Sequence, residues 1–404
     1  MKRKEMTVAA AGCLLFFFML AARLVSAEEH KIIFWHKESD STKFIDLACS
    51  EFSKENNVIL KAEYIPVDQL KQELLKWSLR GKMPDVVFVP SDFIGIHAQL
   101  RLSEIPSSLK NPQISEECHA TASSCGKLYG APVLGGNHLM LLYNKRFVRQ
   151  PAATWTELAT QRTELERQDV ELIGWNYNEM YWFVSFLGAF GGWPMKGGKI
   201  TLDSQAMQEA LRFYKSLADQ GLVSRECGYD CCAKLFFAGK FAYALNGDWA
   251  YAQAEQALGE NLGVAVIPAL ASGPAVPMFS THVLIFPQDS LNGSKGEVLK
   301  KFILFMQSVE MQRRMRRELK RIPVHQKVLA EFQQEADANQ QKILRQLELA
   351  RAMPSEPGMT FAWEGMRKGF HRFMTGSVDA AQAAQLMQRI AENEMRRHAQ
   401  AAAP

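Results

Sequence analysis

Glu179 stands two residues ahead of Tyr181 and three ahead of Trp182, Asp248 directly precedes Trp249, and Trp363 comes four residues before Arg367. Each group sets a flat ring beside a charged or planar polar side chain. A sugar ring presents C–H groups on its face and hydroxyls around its rim, so aromatics on the face and charged groups on the edge suit it. Taken singly, core packing is the ordinary role of each of these rings, because Trp and Tyr are commonly buried. Asp92 and Glu179 also have the residue types of a glycosidase acid and base. The chain has no Gly-x-Ser-x-Gly elbow and no His-Glu-x-x-His segment, so no catalytic residue is assigned and the chain reads as a binder, not an enzyme.

The elements that must position these groups come from a 404-residue chain with 47% hydrophobic and 22% charged residues. That balance excludes disordered and fibrous classes, and the length suggests two domains with cores of their own. Lys2, Arg3 and Lys4 lead into an apolar stretch from Ala9 to Ala22, and Val25-Ser26-Ala27 gives the small-residue pattern of a signal-peptidase site. A mature chain beginning at Glu28 and free in the periplasm is expected, since Cys13 lies too early for lipid attachment at a new N-terminus. Lys2, Arg3, Lys4 and Arg23 leave with that segment, so the formal charge of +4 falls close to neutral and argues against nucleic acid as a partner. The Arg313, Arg314, Arg316, Arg317 run reads as a solvated helix face.

Six cysteines remain after cleavage: Cys49, Cys118, Cys125, Cys227, Cys231 and Cys232. Cys118 with Cys125, and Cys227 with Cys231 or Cys232, are the short-loop disulfide candidates, and spacing does not choose among the pairings. His119 beside Cys118 lacks the second Cys/His pair of a zinc site, so no metal and no cofactor is expected.

Lys31 to Trp35 and Val58 to Tyr64 read as strands around a helix at Ser41 to Glu55, a β-α-β start. Val67 to Leu79 reads as the next helix, and Asp85 to Val89 as a buried strand. Leu139 to Tyr143 is a strand after the Gly135-Gly136 pair, where the chain is expected to cross between domains. Helices follow at Trp155 to Glu166, Met180 to Phe190 and Ser204 to Gln220, with a strand at Leu172 to Trp175. A strand at Thr281 to Phe286 and one long helix at Gly296 to Arg317 read as a return to the first unit, and the chain beyond Pro323 reads as almost all helix. Such alternation predicts an α/β sandwich whose ligands sit beyond the carboxyl ends of strands.

Several segments carry a likeness: Lys31-Ile32-Ile33-Phe34-Trp35, Pro84-Asp85-Val86-Val87-Phe88, Leu142-Tyr143-Asn144-Lys145 and Thr154-Trp155-Thr156-Glu157-Leu158. Phe237-Ala238-Gly239-Lys240-Phe241-Ala242, Asn246-Gly247-Asp248-Trp249 and the tract from Met353-Pro354 to Phe361-Ala362-Trp363 continue it. In order and spacing the chain resembles the family 1 extracellular solute-binding proteins of ABC importers, most closely the maltodextrin-binding branch. The resemblance implies a type II periplasmic binding fold: two α/β lobes, each a mainly parallel sheet flanked by helices, joined by hinge strands. The lobes would be residues 28–137 with 284–324, and 138–283 with 325–404, with hinges near Gly135 to Leu139, Met278 to Leu284 and Ile322 to His325.

Carried over by position, the resemblance implies hydroxyl-reading carboxylates at Asp92 and Glu179, stacking rings at Tyr181, Trp249 and Trp363, and a polar partner at Arg367. Six further positions depart from the pattern. Ser39 and Asp40 replace an Asp-Lys pair, Asn137 replaces a glutamate, and Trp182 replaces a phenylalanine. Val89 and Phe93 stand where the branch has tryptophan and arginine. A disaccharide, an oligosaccharide or a polyol therefore fits as well as a maltodextrin. The partners implied are a membrane permease and, since the chain has no P-loop spacing, a separate ATPase. A monomer is expected. The rival ligands are non-sugar solutes such as glycerol phosphate, a polyamine or ferric ion, and a chaperone or adhesin would require a broad exposed apolar surface.

Overall fold

The computed structural model describes residues 31–38 and 41–401, so the leader and its cleavage site, with Ser39 and Asp40, lie outside the described residues. Apolar runs of strand length open the chain. β1 (Lys31–His36) and β2 (Ile59–Tyr64) enclose α1 (Thr42–Asn56), and α2 (Val67–Leu79) leads to β3 (Val86–Pro90). α1 presents Phe44, Ile45, Ala48 and Phe52 inward at helical spacing and ends where Asn57 takes a left-handed conformation, φ 52°. After the short helix α3 (Glu116–Thr121), β4 (Gly130–Leu134) completes the strands that the first part of the chain supplies.

The chain then crosses into β5 (Leu139–Asn144), α4 (Trp155–Thr160), α5 (Arg162–Glu166), β6 (Glu171–Gly174), α6 (Met180–Ala189) and α7 (Gln205–Asp219). In α7, Met207, Ala210, Leu211, Tyr214 and Leu217 form one buried stripe, and the Ser204 side chain accepts from the Met207 amide as N-cap. α8 (Tyr229–Phe237), β7 (Phe241–Gly247), α9 (Tyr251–Leu258) and β8 (Leu262–Ala265) finish this run. The short β9 (Met278–Phe279) and β10 (His282–Ile285) follow, then α10 (Gly296–Met306), α11 (Val309–Leu319), α12 (Gln326–Glu335) and α13 (Ala338–Glu348). β11 (Arg351–Ala352) pairs with β9, and α14 (Gly358–Met374) and α15 (Ala380–Ala401) pack on each other.

Two main sheets result, ordered β2-β1-β3-β10-β4 and β8-β5-β7-β6. The α/β class stands, but the expected mainly parallel pairing does not. β1 is parallel to β2 and β3, whereas β10 runs antiparallel to both β3 and β4. In the other sheet only β7 with β6 is parallel among the described residues. The cause lies in the crossings. His282 at the start of β10 pairs with Pro90 and Leu134 at the ends of β3 and β4, so this strand enters from the edge at which those strands finish and must run against them.

Two helices expected as single pieces are split. Trp155 to Glu166 breaks at Gln161, and the helix from Gly296 breaks at Gln307, after which the Ser308 side chain accepts from the Met311 amide and starts a new helix. A local acceptor ahead of the amide competes with helix continuation. The tail beyond Pro323 is mostly helical but includes β11.

Each sheet has its own aromatic core. Phe52 meets Phe302 edge-on at 5.0 Å between ring centres under the first sheet. Under the second, Trp175 donates its indole N–H to Tyr214 Oη at 2.7 Å, and Phe186 and Phe370 close around Tyr214. Burying rings of this size contributes about 1.5–3 kcal/mol apiece. Cys227 and Cys231 form a disulfide, while Cys49, Cys118, Cys125 and Cys232 are free. No helix among the described residues is long and apolar enough to cross a membrane.

Candidate functional site

The facing sheet edges decide which side chains meet. Leu139, the first residue of β5, pairs with Gly247, the last of β7, so the segment before β5 lies beside the segment after β7. The Asp248 amide accordingly donates to the His138 carbonyl at 3.0 Å. Trp249 follows in a single 3₁₀ turn, and its indole N–H reaches Tyr229 Oη at 3.0 Å. Gly247 makes this possible, because a Cβ there would stand 2.1 Å from the Trp249 ring. The Cys227–Cys231 disulfide brackets Tyr229 in sequence.

From β6 the chain runs through Trp175 and Tyr177, both fully buried, to Glu179, whose carboxylate accepts from the Tyr181 amide at 3.4 Å and caps α6. Successive residues at a helix start point about 100° apart. Tyr181 therefore faces the edge, where it lies 6.2 Å from Trp249 and 6.5 Å from Trp363 between ring centres, tilted by 57° and 41°. Trp363 comes from α14. The three rings form an angled cup, each partly exposed. The Tyr181 hydroxyl donates to the Asn137 carbonyl and lies 3.3 Å from the Met278 carbonyl, both on chain crossings.

Asp92 stands in the 3₁₀ turn after β3, near enough for its charge to act on Tyr181. Desolvation pushes its carboxyl above the usual range, against the pull of Lys71, Lys37 and the amides of Asp92 and Phe93. Desolvation raises Glu179 likewise, against the Tyr181 and Met180 amides and Arg367. The Tyr181 phenol is pushed well above its ordinary value by burial and by Asp248 and Asp92. The two halves touch in this conformation. Ser355 donates to the Ser123 carbonyl, and a Cβ on Gly95 would stand 3.3 Å from Thr360 Oγ1.

Three expected contacts sit differently. Trp182 is 5% exposed, donates to the Leu245 carbonyl at 2.8 Å and backs Trp249 edge-on, so it supports the cup from behind. Asn137 is 8% exposed, its amide donates to Ser280 Oγ at 2.6 Å, and its carbonyl takes the Tyr181 hydroxyl, so it ties the crossings together. Arg367 is 65% exposed and forks onto Glu364 one turn back, leaving only a longer-range pull on Glu179.

Lys37, Lys71, Tyr229 and Asp248 went unassigned in the sequence because nothing periodic marks them, although Asp248 adjoins an assigned ring. A charged knot gathers around Glu38, just after β1. Glu38 meets Lys37 at 3.0 Å, His282 at 3.4 Å and Arg321 at 3.5 Å, and Arg321 Nη2 donates to His282 Nδ1 at 3.1 Å. Burial pushes the Glu38 carboxyl up, but Lys37, His282 and Arg321 outweigh it and hold it well below its usual range. A cavity of about 260 Å³ opens elsewhere on the seam, between Thr121 and Trp193, Lys196 and Arg351, and none of the three rings lines it. No cluster of three metal-ligating side chains occurs among the described residues.

A family model for bacterial extracellular solute-binding proteins matches residues 48–341. The maltodextrin-binding protein MdxE of Bacillus subtilis (strain 168) is 23% identical over 370 residues, 84% of each chain. A galactooligosaccharide-binding protein of the same organism is 21% identical over 385 residues, 89% of this chain and 88% of that one. Among solved structures, the maltose/maltodextrin-binding domain MalE from Bdellovibrio bacteriovorus, bound to maltotriose, superposes with a TM-score of 0.83 at 24% identity. The match covers 91% of this chain and all of that one, and carries the two-lobed type II fold.

Proposed function

Since the chain belongs to the bacterial extracellular solute-binding family, we propose that it captures a saccharide between its lobes and hands it to a membrane permease driven by a separate ATPase. One observation carries this reading: Tyr181 stands within 6.5 Å of both Trp249 and Trp363, three partly exposed rings, with Asp92 near enough for its charge to act on Tyr181. Rings tilted by 41° and 57° make a curved rest for the C–H faces of linked sugars, while carboxylates at the rim accept hydroxyls. The ligand class is a maltodextrin-like or other di- or oligosaccharide, or a polyol. In this reading Asp92, Glu179, Tyr181, Trp249 and Trp363 touch it, and Arg367 steadies Glu179 from outside.

The closing units are residues 28–137 with 284–324, and 138–283 with 325–404. Closure hides the sugar and forms the surface that a permease recognises, so binding alone drives the motion. Removal of residues 1–27 delivers the mature chain, as a monomer, to the periplasm. The sugar leaves unaltered. A thermal-shift screen against maltotriose, maltose, lactose, trehalose and sorbitol tests the reading, because a true ligand raises the melting temperature by mass action. Chromatography of the recovered sugar is expected to show no cleavage. A flat screen, with a shift only for glycerol phosphate, a polyamine or ferric ion, refutes it.

A further inference from the structure

Asp248 is 3% exposed, yet neither of its carboxylate oxygens has a hydrogen-bond partner. A buried carboxylate without donors is costly, and native structures rarely leave one so. The donors on the residues around the rings are engaged elsewhere. The Tyr181 hydroxyl points to the Asn137 and Met278 carbonyls, the Trp249 indole to Tyr229, and the Ser280 amide to the Gly136 carbonyl. His138 is no donor either. Its Nε2 lies 3.0 Å from the Ile343 carbonyl and must carry the proton there, and burial keeps the ring neutral, which leaves Nδ1 a bare acceptor, also unpartnered.

What covers Asp248 comes from the crossings. A Cβ on Gly136 would stand 2.3 Å from Asp248 Oδ2 and 3.0 Å from Ile322 Cδ1, so only a glycine at 136 leaves the carboxylate its room. Gly136 holds φ +83°, and both it and Ile322 lie in the segments expected as hinges, so the carboxylate sits where the chain crosses between the lobes. Beside Trp249, and close enough to act on Tyr181, Asp248 thus offers two acceptors that no protein donor fills. A hydroxyl of a neutral sugar supplies the donor that these two acceptors lack.

Resting on the saccharide reading, we infer that Asp248 is a specificity-determining residue that accepts a hydrogen bond from one ligand hydroxyl beside Trp249. The test uses the mature protein and whichever of the five screened sugars gives the largest melting shift, together with its monodeoxy derivatives, by calorimetry. Loss of one particular hydroxyl is expected to weaken binding to the parent roughly 10- to 100-fold. Asp248→Asn and Asp248→Ser are expected to bind the full sugar more weakly by a similar factor and to ignore that deoxy position. Two variants are used so that one that fails to fold does not end the test. Parent affinity and an unchanged deoxy pattern in the variants overturn the inference while leaving sugar capture intact. A lowered melting temperature with the deoxy pattern preserved marks a purely structural carboxylate and also overturns it. A parent that binds putrescine and no sugar overturns both readings.

Discussion

The Tyr181 hydroxyl donates to the main-chain carbonyl of Asn137, so a ring of the candidate site is fastened to the first strand crossing. The same hydroxyl sits 3.3 Å from the Met278 carbonyl, near the second crossing. Tyr181→Phe keeps the ring and removes the fastening. It is expected to lower stability by about 1 kcal/mol, the worth of a buried hydrogen bond, and to raise the off-rate of the ligand more than it lowers the on-rate. Stopped-flow fluorescence with the screened sugar, alongside urea unfolding, measures both, and unchanged kinetics would remove the link between ring and crossing.

Trp249 and Trp363 flank Tyr181 from different elements, the turn after β7 and the helix α14. Trp249→Ala and Trp363→Ala are each expected to weaken sugar binding by about 1–3 kcal/mol, the scale of a lost buried aromatic contact. Both rings touch Tyr181, so the double variant is expected to lose less than the sum. Full affinity in both single variants, by calorimetry, would sink the site assignment.

Gly247 has φ −92°, which alanine adopts freely, so any harm from Gly247→Ala comes from contact and not from backbone strain. A Cβ at 2.1 Å from the Trp249 ring drives that ring off its place against Tyr181. The expected result is a loss of affinity close to that of Trp249→Ala. The ring is partly exposed and has somewhere to go, so the melting temperature should fall by only a few degrees. Parent-like binding would mean that the ring's position is irrelevant.

Much of this was legible in the sequence, and the reason is periodicity. The stripe of α7 and the apolar run of β3 announce themselves because one face or both faces of the element must be buried. The three rings were found because they stand beside charges. Orientation was not legible. Tyr181 and Trp182 are neighbours of similar type, and only the packing against Leu245 turns the second inward. Asp248 is silent in the sequence for a related cause: both its oxygens lack partners, and a missing donor leaves no mark on spacing. Nor does spacing show that Glu364, three places before Arg367, pairs with its guanidinium.

The histidines set the response to acid. His138 and His282 are fully buried, and desolvation holds both below the ordinary histidine range, His282 well below. His282 is neutral with its proton on Nε2 toward Glu38, since Nδ1 accepts from Arg321. The unfolded chain takes up these protons near pH 6.5 while the folded chain does not, so the unfolded state binds more protons and stability falls as pH drops below about 6.5. The slope is at most about 1.4 kcal/mol per pH unit for each such histidine. Glu38 does not contribute here. Its depressed carboxyl keeps its stabilisation until pH falls below the unfolded value of about 4.3. Asp92 and Glu179, raised by desolvation, act with the opposite sign from the carboxylate range upward. Urea midpoints are therefore expected to fall between pH 7.5 and 5.5 and to fall less in His138→Asn, where no buried imidazole remains at that position to be protonated. A midpoint that is level across this interval would mean that the native chain takes up these protons as readily as the unfolded one, contrary to the burial of both rings.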